Sequence, residues 1–263
     1  MNCKNCGDLL IAESDFCHGC GGKIIRNRLT IRNLLAHVGE QFFNVDNTFF
    51  KTFSHLITKP EEVIGGYIAG VRKRYINPIS YFAIALTLAG IQIFIVRKFF
   101  PEAMDLSAMA MKGQEEFQNN WFKLVQEYQS IFVMFYIPIY AIISRLVFID
   151  KKKYNYTEHL VIFLYYTGQL SIMMFIPVMI LFALGSDYGS ISPFAIVLQI
   201  FFAAFYLKRM YVLSFAGIAL RTFIFLMLMM AVFIGFAVLG VLLAVVGGLT
   251  PEEIQQLPNR MVN

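Results

Sequence analysis

Charged residues are scarce in this 263-residue chain. Asp, Glu, Lys and Arg make up 15% of the sequence, hydrophobic residues make up 58%, and the mean hydropathy is +0.62. Soluble domains usually contain about 25% charged residues, so this composition argues against that class. The sequence predicts an integral membrane protein.

Acidic residues are absent from the long apolar runs. Five runs are long enough, or nearly so, to cross a hydrocarbon core about 30 Å thick as helices. They are residues 79–96, 131–149, 160–184, 191–207 and 222–246. The fourth run is short for a complete crossing. Proton relays, ion-coupled transporters and aspartyl intramembrane proteases place carboxylates within their spans, so the sequence argues against these classes.

Familiar catalytic motifs are also absent. The chain contains no HExxH metalloprotease motif, no GxSxG nucleophile elbow and no Walker lysine loop. We therefore predict that the protein is not an enzyme. The alternative is an enzyme that acts on lipid at the membrane interface through His159 and Glu158, which lie close to Tyr154 and Tyr156 at the start of the third run.

Cysteine is absent after residue 20. The four cysteines form two CxxCG pairs, Cys3 with Cys6 and Cys17 with Cys20. This spacing turns two thiolates towards one point, and the glycine permits the tight turn that follows. Two such pairs favour zinc over disulfides, with a redox dithiol pair or an iron–sulfur site as alternatives. His18 is an alternative ligand.

The predicted zinc site is structural, because four cysteines fill all four tetrahedral positions. A segment as short as residues 1–25 cannot bury a sizeable core. Zinc must therefore supply most of its folding free energy, with apparent values of roughly 10–16 kcal/mol in comparable peptides. We predict a zinc ribbon over residues 1–25 in a reducing compartment.

No signal peptide is predicted, since the first residues have no basic region, no long apolar segment and no cleavage site. The formal charge of +5 comes from cations at the ends of apolar runs, so it indicates membrane orientation and not nucleic-acid binding. If all five runs cross, three cation groups lie on one side: residues 72–74, residues 151–153, and Lys208 with Arg209 and Arg221. Because cytoplasmic loops carry excess positive charge, the N-terminus is predicted in the cytoplasm and the tail, residues 250–263, outside.

Residues 26–77 are predicted to form an amphipathic helical collar. The helix that follows Asn47 has an apolar face suited to lying on a membrane surface. The collar ends in Arg72, Lys73 and Arg74, which we interpret as a positive anchor beside the first span. Recognition of a lipid head group or an acidic partner is the alternative.

The transmembrane domain is predicted over residues 78–249. Asn77 with Pro78, and Ser192 with Pro193, are cap-then-proline starts for the first and fourth spans. Proline inside a helix predicts a kink, and the second and third spans contain Pro138 and Pro177. An amphipathic stripe near 114–129 predicts a helix at the outer interface, or alternatively a partner-binding groove.

Polar and small residues also occur within the spans. Gln92, Gln169 and Gln199 are best interpreted as hydrogen-bonding between packed helices, and a path for a neutral solute is the alternative. Small residues recur in the fifth span and permit close helix approach, either in a homodimer or within the chain. They include Ala231, Gly235, Gly240 and Ala244.

Four features resemble an uncharacterised family of bacterial membrane proteins, a domain of unknown function. They are the double CxxCG head, Thr52 and Pro60, the segment GYIAGVRKRYINP at residues 66–78, and YTEHLVIFLYY at residues 156–166. The resemblance implies a membrane location, in a bacterial inner membrane, and supplies no activity.

The sequence as a whole predicts an all-α polytopic protein with about five transmembrane helices and a small cytoplasmic zinc ribbon. Zinc ribbons with no open coordination position suit contact between proteins. We therefore predict a non-enzymatic adaptor, regulatory or assembly factor, whose head docks a cytoplasmic protein partner and whose body contacts membrane lipids. A transporter or lipid-handling protein with a regulatory head is the alternative.

Overall fold

The structure is a computed structural model, and it describes residues 2–3, 6–11, 14–21, 24, 48–104, 125 and 127–246. The chain divides into two compact units, Met1–Asn47 and Thr48–Asn263. The helix predicted near 114–129 lies almost entirely outside the described residues, and the tail at 250–263 lies wholly outside them.

The first unit contains two tight turns. The Gly7 N–H donates to Cys3 O at 2.8 Å, and the Gly21 N–H donates to Cys17 O at 2.9 Å. Both glycines have positive φ, +83° and +68°, which glycine adopts without steric cost. An isolated antiparallel bridge pairs Asn2 with Leu9, and the described residues of this unit contain no β-strand. The described residues of the head therefore show the two predicted cysteine turns and none of the strands of a ribbon.

The second unit is helical in its described residues. Its elements, in chain order, are α1 (residues 48–58), α2 (Pro60–Ile68), α3 (Pro78–Phe99), a 3₁₀ turn (Pro101–Met104), α4 (Gln129–Val147), α5 (Tyr156–Ala183), α6 (Tyr188–Tyr211) and α7 (Phe215–Val246).

Four of these helices are long and apolar enough to cross a membrane: α3, α5, α6 and the segment Phe215–Phe236 of α7. The short fourth run of the sequence belongs to α6, which has 24 residues. The expected second span corresponds to α4, whose apolar segment Ile131–Val147 is shorter than the other four. At 1.5 Å per residue that segment covers roughly 25 Å. The structure thus supports a multi-pass protein with four candidate spans.

Side-chain caps begin three of the long helices. Asn77 accepts from the Ser80 N–H at 2.9 Å and starts α3, as the sequence predicts. Asn155 and Glu158 form a capping box at the start of α5. Asp187 accepts from the Ser190 N–H at 2.7 Å and starts α6. That backbone hydrogen bond also holds the pKa of Asp187 below its ordinary value.

The predicted start of the fourth span at Ser192 and Pro193 is wrong. The Asp187 cap begins α6 at Tyr188, so Pro193 lies inside the helix. Pro193 is the sixth residue of α6, beyond the N–H groups that lack an intrahelical partner, so it removes the backbone hydrogen bond to Gly189 O. The Ser192 hydroxyl donates to that carbonyl at 3.3 Å instead. Pro138 and Pro177 lie inside α4 and α5, as predicted.

The helix α5 lies at the centre of the bundle, and α3 packs closely against it. A Cβ atom added to Gly168 of α5 would lie 3.1 Å from the Tyr81 ring and 3.5 Å from Phe82 Cα of α3. The surrounding core includes the buried side chains of Ile162 and Phe163. The absence of a side chain at Gly168 therefore allows α3 and α5 to approach this closely.

The helices α1 and α2 pack on this bundle. Leu56 of α1 and Val63 and Ile64 of α2 are fully buried in the same hydrophobic core. The expectation that the apolar face of α1 lies on a membrane surface is therefore wrong for Leu56, because the bundle covers it.

Candidate metal centre and the basic end of the bundle

The four cysteines predicted to bind zinc lie together. Their Sγ atoms all lie within 4.8 Å of one another. The Cys3 and Cys20 Sγ atoms are 3.7 Å apart, and those of Cys6 and Cys17 are 3.6 Å apart. Both distances are far longer than a disulfide bond of about 2.05 Å. Each short contact joins one CxxC pair to the other, so the two turns form one cluster.

The geometry of this cluster fits a tetrahedral metal ion. Zinc with Zn–S bonds of about 2.3 Å separates its sulfur ligands by about 3.8 Å, close to the two short distances. The four cysteines could hold such an ion, and they would leave no position for substrate. His18, the alternative ligand, is exposed and does not belong to the cluster.

The thiol of Cys6 resists ionisation. A hydrogen bond with the Asp8 backbone lowers the pKa of Cys6, but desolvation and the three neighbouring thiols together raise it to about 12. Four thiolates at these distances repel one another, and a bound divalent ion compensates that charge. The donor set therefore suits a metal ion.

Cations gather at one end of the second unit, which we call the basic end. Each of three contacts joins distant parts of the chain through a carboxylate or a helix-terminal carbonyl. They are Arg209 with the Glu61 carboxylate (3.0 and 2.6 Å), Arg221 with the Asp150 carboxylate (2.8 and 2.7 Å), and Lys153 Nζ with Met210 O (2.6 Å). The starts of α5 and α7 and the ends of α4 and α6 thus meet here.

Arg221 lies within α7 and not in the preceding loop, because α7 begins seven residues earlier than the predicted span. Its side chain is 17% exposed. Besides Asp150, it donates to Val147 O at 2.9 Å and lies over the Phe148 ring at 4.9 Å. The hydrogen bond from Arg221 holds the pKa of Asp150 below its ordinary value.

The cations at residues 72–74 belong to the collar, and the contacts of Arg72 and Arg74 lie within it. Arg72 lies 3.9 Å from the centre of the Tyr67 ring and donates to Tyr67 O at 2.5 Å. Arg74 lies 3.7 Å from the carboxylate of Glu62. A hydrogen bond from Lys59 holds the pKa of Glu62 below its ordinary value. Arg72 and Arg74 therefore stabilise the collar itself, whatever else they bind.

A buried hydroxyl joins α1 to the loop before α3. Thr52 is fully buried, donates to Thr48 O at 2.6 Å and accepts from the Ile76 N–H at 3.1 Å. The Tyr165 hydroxyl of α5 donates to Ile76 O at 2.6 Å. Both polar backbone groups of Ile76 are therefore paired with side chains.

His159 and Glu158 do not form a pair. Glu158 accepts from the Asn155 N–H at 2.6 Å in the capping box. His159 is fully buried, and its Nε2 lies 2.9 Å from the Tyr211 hydroxyl. Its ring packs among the aromatic rings of Phe148, Tyr154 and Tyr211. This environment joins α5 to the end of α6.

Gln169 forms a hydrogen bond between helices. Its Oε1 accepts from the Tyr81 hydroxyl of α3 at 2.5 Å, and both side chains are fully buried. Gln199 is exposed and Gln92 is partly exposed. Within the described part of the chain, no hydrogen bond connects either of them to Gln169. The contacts of Gln169 therefore match the interpretation as helix packing.

The small residues of α7 include two that lie on an open surface. Ala231 and Gly235 are exposed, and a Cβ added to Gly235 would meet no atom within 4 Å. The surroundings of Gly240 and Ala244 lie outside the described side chains. At Gly235 no other helix among the described residues makes a close contact.

Residues 46–90 match the model of a family described as a protein of unknown function (DUF3667). The DUF3667 match covers α1, α2, the 66–78 segment and the first half of α3. It includes Thr52 and Pro60, which are both buried. It does not extend to the cysteine pairs or to residues 156–166. No curated protein and no solved structure matches the chain.

Sequence reasoning missed the partners of the polar residues. Tyr81, Tyr165 and Tyr211 each form a hydrogen bond across the bundle, and Glu61 and Asp150 each bind an arginine. The two paired arginines lie 148 and 71 residues along the chain from these acids. A lone acid beside an apolar run is a weak signal, and it does not show which cation it meets.

Proposed function

We propose that the protein is a non-enzymatic adaptor, whose zinc-bound N-terminal head docks a cytoplasmic protein onto a membrane-embedded helical body. The observation that carries this proposal is the cluster of four cysteine Sγ atoms within 4.8 Å. Four thiolates complete a zinc coordination shell and leave no catalytic position. A head held in this way offers a surface for contact and not a reaction centre.

The surface of the head supports docking. Leu9, Ile11 and Phe16 are 74%, 63% and 53% exposed. Three large apolar side chains on so short a segment are costly to leave in water, and a protein partner would remove them from it. Their exposure favours contact over a purely local stabilising role.

The body supports a five-span arrangement. α3, α5 and α7 start at the basic end, whereas α4 and α6 end there, so the helices alternate in direction. The positive-inside rule places the basic end in the cytoplasm. The head is then cytoplasmic, the C-terminal tail is outside, and the membrane is a bacterial inner membrane. In this arrangement α4, the second predicted span, also crosses and brings the number of spans to five.

A homodimer through the small residues of α7 is part of the proposal. The open surface at Ala231 and Gly235 permits close approach of a second copy of α7. Disulfide crosslinking of a Gly235→Cys variant in membranes tests it, because a symmetric contact brings the two introduced thiols together. The native chain has no cysteine in the body that could interfere.

Deletion of residues 2–24 tests the docking role of the head. We expect the shortened chain to insert at normal level and to lose its cytoplasmic partner in crosslinked, detergent-solubilised samples. His18→Ala serves as the control, since His18 lies between two ligands without belonging to the cluster. If the shortened chain keeps every protein interaction of the native chain, docking by the head is refuted.

A further inference from the structure

A groove lies between α4, α5, α6 and α7 and begins at the basic end. Its volume is about 190 Å³. Its walls are almost entirely aromatic and aliphatic, and they include Tyr140, Phe163, Ala203, Ala204 and Phe225. An apolar cavity of about 150 Å³ takes up a molecule the size of benzene. The groove is therefore large enough for several methylene groups of a hydrocarbon chain.

The length of the groove matches one leaflet of a bilayer. On α7 its walls run from Ile218 to Met229, and on α6 from Ile196 to Leu207. Each stretch covers roughly 16 Å at 1.5 Å per residue. This is about half of a hydrocarbon core about 30 Å thick. A ligand that fills the groove would therefore reach from the basic end to the middle of the membrane.

The groove opens sideways towards the surroundings of the bundle. Ile196 on one wall and Leu226 on the other are 54% and 40% exposed. The helix α7 is the most peripheral of the candidate spans, with 6% of its apolar window buried. In a membrane the molecules next to this opening are phospholipids, so their acyl chains have direct access.

The charges at the mouth of the groove favour an anionic head group. Arg221 lines the groove and is already paired with Asp150. Lys151 and Lys152 are exposed in the adjoining loop, and Lys208 is partly exposed at the end of α6. Asp150 is the only acidic residue in the described loop 148–155, and Arg221 neutralises it, so the mouth carries excess positive charge.

We propose that this groove binds one acyl chain of an anionic phospholipid from the leaflet at the basic end. The apolar walls hold the chain, and the lysines attract the head group. The inference rests on the membrane location in the proposed function, and it is independent of partner docking by the head.

A photoactivatable phospholipid with a diazirine near the end of one acyl chain tests the proposal. The purified full chain is placed in vesicles that contain this lipid with either a phosphatidylglycerol or a phosphatidylcholine head group, and crosslinked peptides are mapped by mass spectrometry. We expect crosslinks concentrated on the walls of the groove, and at least about threefold more with phosphatidylglycerol.

Filling the groove provides the decisive comparison. Ala204→Phe should reduce the groove crosslinks at least about fivefold, whereas Ala83→Phe, on an exposed face of α3, which does not line the groove, should leave them unchanged. Ala203→Leu adds less volume and therefore disturbs the fold less than Ala204→Phe. Thermal unfolding of each variant checks that it is folded. Lys151→Gln with Lys152→Gln should remove the preference for phosphatidylglycerol.

Three results would overturn the proposal. One is crosslinks spread evenly over the exposed faces of the helices, and another is equal crosslinking in the native and Ala204→Phe chains. The third is an absence of lipid crosslinks on the walls of the groove, which would mean that something other than lipid fills it. Resistance of the chain to alkaline extraction is measured first, so that a failure of membrane location is distinguished from a failure of lipid binding.

Discussion

At the scale of single residues, Thr52 explains why a polar side chain belongs in the matched 46–90 segment. Its hydroxyl is fully buried, accepts from Ile76 N and donates to Thr48 O. A buried backbone N–H without a partner is costly, so this hydroxyl fixes where the loop before α3 passes α1.

We expect Thr52→Val to destabilise the folded chain by about 1–3 kcal/mol, because it leaves the Ile76 N–H unpaired at nearly constant volume. Thr52→Ser keeps the hydroxyl and loses one methyl group, which costs about 1 kcal/mol. Thermal unfolding in detergent compares the two variants. A Thr52→Val chain as stable as the native one would show that the hydrogen bond contributes nothing.

The pair of Asp150 and Arg221 should respond unequally to removal of each partner. Asp150→Asn leaves a mostly buried guanidinium without its carboxylate, whereas Arg221→Met leaves an exposed carboxylate that water solvates. We expect Asp150→Asn to lower the unfolding temperature more than Arg221→Met does. Equal effects, or the reverse order, would contradict this account of the basic end.

The same pair predicts a dependence of stability on pH. Because Arg221 lowers the pKa of Asp150 in the folded state, the pair stabilises the fold above the ordinary carboxyl pKa of 3.8 and loses this contribution as the pH falls through the lowered value. The unfolding temperature of the native chain should therefore fall more steeply below about pH 4 than that of Asp150→Asn. Parallel profiles would mean that the pair has no role in acid stability.

At the scale of elements, the contact of α3 with α5 depends on Gly168. Gly168→Val would force the Tyr81 ring and the α3 backbone apart, and overpacking of this kind costs about 1–3 kcal/mol. Gly90→Val places the same residue in α3 where nothing lies within 4 Å. We expect only Gly168→Val to reduce the unfolding temperature strongly. If the unfolding temperature fell by a similar amount in both variants, the cause would be helix propensity and not packing.

The existence of the helices could be predicted from local patterns, but several of their ends could not. Asn77 followed by Pro78 marks the start of α3 in the sequence and in the structure. For α6, the same pattern at Ser192 and Pro193 was misleading, because Asp187 caps the helix one turn earlier. The predicted fifth span also starts too late, at residue 222. Arg221 lies in the first turns of α7, and its charge lowers the local hydropathy there.

The candidate metal centre could be predicted because its ligands are close in sequence. Two CxxC pairs determine their own geometry, and the structure brings all four thiols together. The partners of Gln169 and Arg221 could not be predicted, since each lies more than 70 residues away and nothing local identifies it. The groove likewise has no sequence signature, because its walls consist of the same residues as the rest of the body.

At the scale of the whole molecule, the two compact units should lose structure independently. We expect the purified chain to contain one zinc per chain, and Cys17→Ser with Cys20→Ser to contain none, as measured by elemental analysis. The unfolding temperature of the helical body should be the same in both. Full zinc content in the double variant would rule out this cluster as the metal site.

The most direct test of the central claim is a crosslinked pull-down from detergent-solubilised membranes. It compares the native chain with the Cys17→Ser, Cys20→Ser double variant and with His18→Ala, after zinc content and membrane level have been measured for each. Docking through a zinc-held head predicts a cytoplasmic partner recovered with the native and His18→Ala chains and lost with the double variant. Recovery of the same partner with the zinc-free variant, or of no partner with any chain at equal membrane level, would contradict it.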